Sequence, residues 1–273
     1  FFVYPYLVKT IYIRDFEIRD ITSAYGYSGP ACSSEHLGKK TEIAFLEYCK
    51  QQAFVSEFVR YHYDSHLTYM FRMDSEILLN RKLVILNLTQ EWQTIWQQQF
   101  SKTNRNLVRK GINNGFRLAT TPEITVKQFR RLYNEHMKSK GTENFYYFDE
   151  RYFDDLLFAK NRAYQSQLFG IVKDKELFSA AMFLKSGPYA TYFLSARNLT
   201  HSNSSNMNLL LSKSIQSFCE NENRVRFLNL GVGVSVFPDD SLLKFKKVFG
   251  GDLIKFFIGK RIFDKEKYRL IQK

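Results

Sequence analysis

The sequence contains few of the residues that cross-link, break or loosen a chain. Its 273 residues include three cysteines, five prolines and 13 glycines. Cys32, Cys49 and Cys219 are an odd number without close spacing, which excludes a disulfide framework and a cysteine-based zinc site. That cysteine usage favours a reducing, cytoplasmic location. The low glycine and proline content excludes collagen-like and low-complexity segments.

Long apolar runs are also missing. The apolar runs are short, as in AAMFL at 180–184, whereas a membrane-spanning helix needs about 20 predominantly apolar residues. We therefore expect no transmembrane segment.

Several catalytic motifs are absent as well. The sequence has no G-x-S-x-G elbow, no G-x-x-x-x-G-K-S/T loop and no H-E-x-x-H helix, which argues against the enzyme classes built on them. His62 and His66 have the spacing of metal ligands on a helix, but the neighbouring EFVRYHY is typical of a strand and a third ligand is not evident. We therefore predict no metal site. The adjacent carboxylates at 154–155 and 239–240 do not form a pair across a cleft.

What the chain does have is a large apolar and aromatic content and a strong positive charge. It is 44% hydrophobic and 16% aromatic, which is enough for a sizeable core and excludes a disordered chain. The formal net charge is +13 and the pI is about 9.5. Such a field attracts phosphates, nucleotides, RNA or an acidic membrane surface. Charge alone does not choose among these partners, and a merely soluble basic surface stays open.

The order of predicted elements indicates two blocks. Strands, a helix at 38–53, more strands, a helix TQEWQTIWQQQF capped by Thr89 and a basic helix that stops at Gly115 form the first block. Pro122 marks a boundary, so we expect one domain over 1–121 and another over 122–254. The second block runs through two helices, three strands, then helix, strand, helix and strand. This pattern predicts a mixed α/β fold, with helices around a central sheet in each domain.

Lys246 is the most unusual residue in this pattern. In SLLKFKKVFGG at 241–251, a helical arrangement places Lys244 and Lys247 on the polar side but directs Lys246 between apolar residues. A buried, unpaired ammonium costs several kcal/mol, so it must find a partner, reach water or lose its proton. Two interpretations stay open: snorkelling along its stem, or stabilising negative charge on a reacting carbonyl or phosphoryl oxygen.

Weaker signals surround it. Arg105 and Arg109 lie one turn apart on the basic helix and could bind a phosphate together, although a solvated face is the more common explanation. A strand that includes Ser195 ends before a polar loop and a helix start, which is a seat for an anion or simply a cap. Two glycines after a later strand allow close approach of a ligand or make a turn. The predicted cofactor-binding residues are Ser195, Ser205, Asn206, Asn208, Gly231 and Gly233.

Five stretches occur in one order that resembles a known family. They are YGYSGP at 25–30, NRNLVRKGINNGF at 104–116, SSNMNLLLSKSIQ at 204–216, FLNLGVG at 227–233 and SLLKFKKVFGG at 241–251. Together they resemble the FemAB-like branch of the GNAT acyltransferases, which includes Fem aminoacyltransferases of peptidoglycan bridges and acyltransferases associated with cell-surface polysaccharides. The resemblance runs from about residue 1 to about residue 263, and order and spacing carry it more than any single motif.

The resemblance implies tandem GNAT-like domains, with residues 255–273 able to return to the first, and an activated acyl donor. In Fem enzymes a Phe-Lys pair in this late helix places a lysine beside the reacting carbonyl, and Phe245 and Lys246 match that pair. The resemblance thus assigns Lys246 as catalytic and Phe245 as substrate-binding. The loop of Tyr25 and Tyr27 and the helix of Arg105 and Arg109 correspond to parts near the acceptor cleft, which makes these four residues predicted substrate contacts.

The sequence departs from that family in two ways. The Q/R-x-x-G-x-G/A pyrophosphate loop is absent from 196–210, where SNSSNMN stands, and no coiled-coil arm of the kind associated with tRNA handling is present. The first departure puts a standard coenzyme A seat in doubt, and the second disfavours a tRNA donor.

Our functional prediction is an acyltransferase that moves an acyl group from acyl-CoA to an amine of a nucleotide-linked cell-envelope saccharide precursor. The alternative is a Fem-type aminoacyltransferase that uses aminoacyl-tRNA on a peptidoglycan precursor. The second alternative is a non-catalytic nucleotide- or RNA-binding protein. Peripheral contact with a membrane is compatible with each, and no residue stands out as the general base.

Overall fold

The structure is a computed structural model that describes residues 1–14, 16–34, 38–63, 73, 75–158, 163–199, 205–221, 225–237 and 239–271. Contacts group the chain into two compact units. Unit 1 comprises Phe1–Lys82 and Ile254–Lys273, and unit 2 comprises Leu83–Leu253. Among the helices of these described ranges, none combines the length and the hydropathy that crossing a bilayer requires.

The elements follow the predicted order closely. The strands are β1 (Phe2–Val3), β2 (Leu7–Ile13), β3 (Phe16–Thr22), β4 (Ala31–Cys32), β5 (Phe54–Arg60), β6 (Ser75–Asn87), β7 (Arg117–Thr120), β8 (Gln165–Lys173), β9 (Glu176–Ser186), β10 (Tyr189–Arg197), β11 (Phe227–Val232) and β12 (Asp252–Ile262). The helices are α1 (Gly38–Gln51), α2 (Trp92–Thr94), α3 (Lys102–Asn113), α4 (Val126–Ser139), α5 (Glu150–Phe158), α6 (Ser205–Glu220), α7 (Ser241–Lys247) and α8 (Lys265–Ile271).

Unit 1 is built on the strand order β2-β3-β5-β12, with β1 and β4 pairing separately. The β2–β3 and β5–β12 pairs are antiparallel, and the β3–β5 pair is parallel. Ile21, Phe45, Cys49 and Phe54 form its hydrophobic cluster. The helical spacing of Phe45 and Cys49 on α1 explains why one face of that helix is buried against the strands.

A buried polar cluster lies beside this core. Arg261 pairs with Glu42 at 2.8 Å and with Glu57 at 3.4 Å, and all three are nearly inaccessible. The Tyr4 hydroxyl donates to Glu57 Oε1 at 2.5 Å. Burial raises the pKa of Glu57, an effect that Arg261 opposes. One guanidinium thus compensates two carboxylates, and removing it would leave buried charge without a partner.

Unit 2 is a sheet with helices on both faces, in the order β6-β11-β10-β9-β8-β7. All neighbouring pairs in it are antiparallel except β10–β11. Alternate residues of β9 enter different cores, with Ala181 and Phe183 on one face and Ala180 and Met182 on the other. The first core includes Phe218 of α6, and the second includes helices α4 and α5. Because both faces are covered, these strands are apolar at consecutive positions.

Helix boundaries differ from the sequence prediction at one place. The expected helix capped by Thr89 begins only at Trp92, and residues Ile95–Gln99 form a π-helical turn. The Thr89 hydroxyl instead bonds the Asn87 side chain at 2.7 Å. The basic helix α3 ends as predicted, since Gly115 has a φ of +82°, which favours glycine.

The compact units divide at different positions from the predicted domains. Residues 83–121, which the sequence pattern assigns to the first domain, fall within unit 2, and residues 254–273 fall within unit 1. The domain boundary at Pro122 stays a prediction.

Candidate functional site

The parallel strands β10 and β11 separate from one another partway along their length. They pair from Tyr189 with Phe227 to Thr191 with Asn229. Beyond that point, β10 continues to Arg197 and β11 continues to Val232, and these described residues do not pair with each other. Where two neighbouring strands diverge, a ligand can replace the pairing that the strands no longer make with each other.

Irregularities in both strands accompany this separation. The register of β10 against β9 shifts between Tyr192 and Leu194. A bulge of this kind bends the strand and changes the direction of the side chains beside it. In β11 the register shifts between Asn229 and Gly231, where Asn229 Oδ1 accepts a bond from the Gly231 N–H at 2.7 Å.

Lys246 of helix α7 reaches the end of β11. Its side chain is buried, with the residue only 6% exposed. The Nζ atom donates a hydrogen bond to the Val232 carbonyl at 2.7 Å and lies 5.9 Å from the centroid of the Tyr192 ring. Lys244 and Lys247 are exposed on the other side of the helix, as the sequence predicts. The apolar environment of Lys246 is therefore real, and its partner is a carbonyl at the point where the strands diverge.

Burial changes the protonation of this site. Desolvation lowers the pKa of Lys246 to about 8, and the nearby charge of Asp240 opposes that change. Desolvation raises the pKa of Tyr192 to about 12, an effect that the nearby Ser195 side chain opposes. Near neutral pH the pair thus offers a mostly protonated amine and a protonated hydroxyl. Both are donors suited to negative charge that develops on an oxygen.

Asp240 organises the loop between β11 and α7. It caps the helix by accepting from the Leu243 N–H at 2.7 Å, and it also accepts from the Ser235 N–H at 2.5 Å. These backbone bonds hold the pKa of Asp240 at about 2. Gly233 is required for this arrangement, because an added Cβ would lie 2.5 Å from Asp240 Oδ1. The predicted cofactor role of Gly233 stays a prediction, but its local structural use is clear.

Helix α7 is fixed at its other end by a buried polar network. The Val248 carbonyl accepts from the Ser101 N–H at 2.9 Å and from Asn104 Nδ2 at 3.3 Å. Asn104 Oδ1 in turn accepts from Asn208 Nδ2 at 2.8 Å. The helix that carries Lys246 is thereby bonded to α3 and, through Asn104, to α6. We infer that this network sets the position of Lys246.

Aromatic packing supports the same helix. Phe245 and Phe249 contact each other with ring centroids 5.5 Å apart, and Phe249 meets Phe100 at 5.3 Å. Phe245 is half-buried against the core of unit 2. Its predicted contact with substrate stays a prediction.

The residues predicted at the start of α6 are all buried. Ser205, Asn206 and Asn208 lie in its first turn, and Asn208 is bonded to Asn104. Among the described residues, Asn206 Oδ1 has no hydrogen-bond partner although the residue is 3% exposed. Residues 200–204 of the preceding loop lie outside the described ranges. The assignment of this turn to a cofactor therefore stays a prediction.

The two arginines of α3 have different environments. Arg105 Nη1 donates to the carbonyls of Gln97 at 3.0 Å and of Phe100, closing the end of the π-helical turn. Arg109 is exposed and lies over the Trp96 ring at 5.7 Å. Arg105 thus has a structural role that its spacing in the sequence did not reveal. Binding of one phosphate by Arg105 and Arg109 together stays a prediction.

Tyr25 and Tyr27 belong to unit 1. Tyr25 is 44% exposed, whereas Tyr27 is half-buried with its ring 5.1 Å from that of Phe256. Their predicted role in substrate binding is untested. His62 stacks on Tyr63, and His66 lies outside the described ranges. Within the part of the chain that the structure describes, no group of three or more His, Cys, Asp or Glu residues could hold a metal ion.

Sequence reasoning missed Tyr192, Asn104 and the role of Asp240. An Asp directly before an apolar helical run is a recognisable cap signal, so Asp240 could have been identified. Tyr192 and Asn104 carried no such signal, because their partners are distant in sequence.

Comparison with known proteins shows the fold. No protein-family model matches the sequence, and no curated protein matches it. The chain is similar to a crystal structure of FemX, with a TM-score of 0.72, 12% identity, and coverage of 97% of this chain and 86% of that one. L-PGS from Bacillus licheniformis gives a TM-score of 0.64 at 12% identity, with 97% and 84% covered. A tandem GNAT protein from the clavulanic acid biosynthesis pathway gives 0.52 at 12% identity, with 89% and 78% covered.

These similarities confirm the mixed α/β, tandem GNAT-like fold that the sequence predicts, and they place the chain's fold with that of the Fem and L-PGS structures.

Proposed function

We propose that the chain is an acyltransferase that moves an acyl group from an activated donor to an amine. The observation that carries this proposal is the buried Lys246 amine beside the Val232 carbonyl, at the point where β10 and β11 diverge. A snorkelling lysine would direct its nitrogen to solvent, whereas this nitrogen is held inside. The similarity to a tandem GNAT protein agrees with this reading.

The chemistry follows from the donors at the site. The amine nitrogen of the acceptor attacks the acyl carbonyl carbon, and the carbonyl oxygen becomes negatively charged. Lys246 Nζ and the Tyr192 hydroxyl are the groups that can donate hydrogen bonds to that oxygen. One well-placed donor is worth about 3 to 4 kcal/mol in the transition state. When the tetrahedral species collapses, the bond to the leaving sulfur or oxygen breaks, and the proton lost by the amine accompanies the leaving group.

Acyl-CoA is the donor we propose. Beyond residues 191 and 229, β10 and β11 no longer pair with each other, and the amide groups of a pantetheine arm are suited to bind along such a strand edge. The first turn of α6 is buried, and Asn206 Oδ1 has no hydrogen-bond partner among the described residues, so this turn is a candidate polar site for another part of the donor. The name of one neighbour, described without AcCoA, supports the same donor class.

Aminoacyl-tRNA is the second candidate donor. Two observations favour it: the net charge of +13, and similarity to FemX and L-PGS, which have the higher TM-scores. Charge-driven binding of RNA weakens steeply with salt because phosphate contacts release counterions.

The proposed acceptor is an amine on a cell-envelope saccharide or peptidoglycan precursor, linked to a nucleotide. The support for this class is the FemAB-like sequence resemblance and the FemX fold, together with a basic surface that attracts phosphates. Cys49 and Cys219 are buried and form no disulfide among the described residues, which fits the cytoplasmic location we propose.

Ligand-dependent melting followed by turnover tests the proposal. A ligand that binds the folded state raises the melting temperature by mass action. We expect acetyl-CoA and a UDP-amino sugar to raise it, and Lys246→Ala to abolish acyl transfer without loss of fold. A response to tRNA alone would favour the aminoacyl donor. Binding of RNA with no transfer from either donor would instead indicate a non-catalytic binding protein and overturn the proposal.

A further inference from the structure

Three large apolar side chains project from the loop that precedes α7. Val234, Val236 and Phe237 are 71%, 70% and 70% exposed. We call these three residues the apolar tip. They lie outside the hydrophobic clusters that the described residues form. A single exposed apolar residue is ordinary, but three within four positions form a patch that needs an explanation.

The apolar tip is held in shape by the loop itself. Asp240 accepts from the Ser235 N–H at 2.5 Å, Ser235 Oγ accepts from the Phe237 N–H at 3.3 Å, and the Asp240 N–H donates to the Phe237 carbonyl at 3.2 Å. The backbone bonds are thus satisfied inside the loop while the side chains point outward. A preformed tip pays little ordering entropy when it binds a partner.

The charge of the chain indicates what that partner is. The net charge is +13, and Lys247 and Lys244 are exposed on the helix directly after the apolar tip. Lys244 is paired with the exposed Asp239 at 2.6 Å. Of these two lysines, Lys247 is therefore the one without an ion pair among the described residues. Reversible membrane binding commonly needs two signals, a small apolar insertion and positive charge, and this chain supplies both.

We propose that the apolar tip inserts into the surface of an anionic lipid bilayer. Its size favours a bilayer over a protein partner, because a stable protein interface needs about 20 to 30 residues on each side. The apolar tip begins two residues after Val232, whose carbonyl binds Lys246. Insertion therefore places the candidate site near the bilayer surface. This inference does not depend on the proposed reaction.

Flotation of the full chain with lipid vesicles tests the inference. Wild-type protein is mixed with vesicles of phosphatidylcholine alone or with phosphatidylglycerol, at low and moderate salt. The test variant is the double substitution Val236→Ser and Phe237→Ser, which removes apolar surface and no charge. The matched control is Ile112→Ser on α3, which removes another exposed apolar side chain, 45% exposed. Because all three positions are exposed, the melting temperatures should match the wild type.

We expect wild type and Ile112→Ser to float with anionic vesicles. The double variant should bind these vesicles at least about tenfold more weakly, given the transfer free energy of the two side chains. Equal binding of the double variant and the control would overturn the insertion, because charge alone would then explain attachment. Absence of wild-type flotation with anionic vesicles at low salt would overturn it as well.

A tryptophan at the tip gives a direct reading of depth. Phe237→Trp should show a blue shift and increased emission on adding anionic vesicles, as an indole leaves water for the interface. Quenching by lipids brominated near the headgroup should follow. An unchanged emission spectrum on vesicles that bind the protein would place the tip in water and refute the inference.

Discussion

Replacing Lys246 by Met separates the stability and the activity of this protein. The substitution keeps the length of the side chain and removes its charge. If Lys246 were present for stability, the variant would melt at a lower temperature. If it is held inside for catalysis, folding should improve while turnover is lost, as in other sites where function costs stability.

The expected magnitude follows from the environment of the amine. Burial lowers the pKa of Lys246 from 10.5 to about 8, which corresponds to about 3 kcal/mol against the folded state when the amine is charged. The variant also loses the 2.7 Å hydrogen bond to the Val232 carbonyl, and this loss destabilises the variant by about 1 to 2 kcal/mol. The net expectation is a gain of about 1 to 2 kcal/mol, or a melting temperature higher by about 5 °C for a chain of this size.

The sign of the pH dependence provides a second check. Because the folded pKa is depressed, the folded state binds this proton less well than the unfolded state. The destabilisation of the wild type by the buried, charged Lys246 amine is complete below pH 8 and disappears as the pH rises toward 10.5. The difference between Lys246→Met and wild type should therefore shrink across that interval. Lys247→Met, an exposed neighbour with the same charge change, should show neither the gain nor its pH dependence.

Urea unfolding at pH 7 and at pH 10 measures the stability terms, and release of free thiol from acyl-CoA in the presence of an amine acceptor measures turnover. We expect turnover to fall by about 100-fold or more. A variant less stable than wild type at pH 7 would contradict the desolvation argument. Retained turnover would remove the catalytic role, whatever the stability result.

Other substitutions test the supports around the site and the core of unit 1. Asp240→Ala removes the cap of α7 and should lower the free energy of unfolding by about 1 to 2 kcal/mol at neutral pH. The pKa of Asp240 is about 2 in the folded state against an ordinary 3.8. In acid-unfolding curves the stability difference between the variant and the wild type should therefore disappear as the pH falls from 3.8 to 2. Asn104→Leu removes the hydrogen bonds to the Val248 carbonyl and to Asn208 and should cost about 1 to 3 kcal/mol in urea unfolding. It should also lower kcat more than it changes KM. The control Asn106→Leu, at an exposed position of the same helix, should change neither stability nor kcat. Arg261→Met leaves the buried carboxylates of Glu42 and Glu57 without their cation and should cost about 3 to 5 kcal/mol of stability at pH 7. Thermal melting should show a smaller loss at pH 5, where a carboxylate without its cation is more readily protonated. Equal losses at both pH values would contradict the role of Arg261 in compensating these charges.

Much of the fold could be predicted because it depends on local periodicity. The 3.6-residue spacing of α1 and the consecutive apolar residues of β8 and β9 are visible in the sequence, and α1 lies close to its expected bounds. The π-helical turn at Ile95–Gln99 was not expected. Its sequence has a helical pattern, and the guanidinium of Arg105 that closes it comes from the next helix.

The sequence by itself determined that Lys246 would face an apolar surface, since that follows from its position on a helix and from the types of its neighbours. Only the tertiary structure decided what the amine meets there. The bulge in β10, the end of the β10–β11 pairing and the carbonyl of Val232 come from strand register, which the local pattern does not encode. The bond between Asn104 and Asn208 joins residues 104 positions apart. Partners at that separation meet only through the path of the whole chain, whereas a helical face is defined within a few residues.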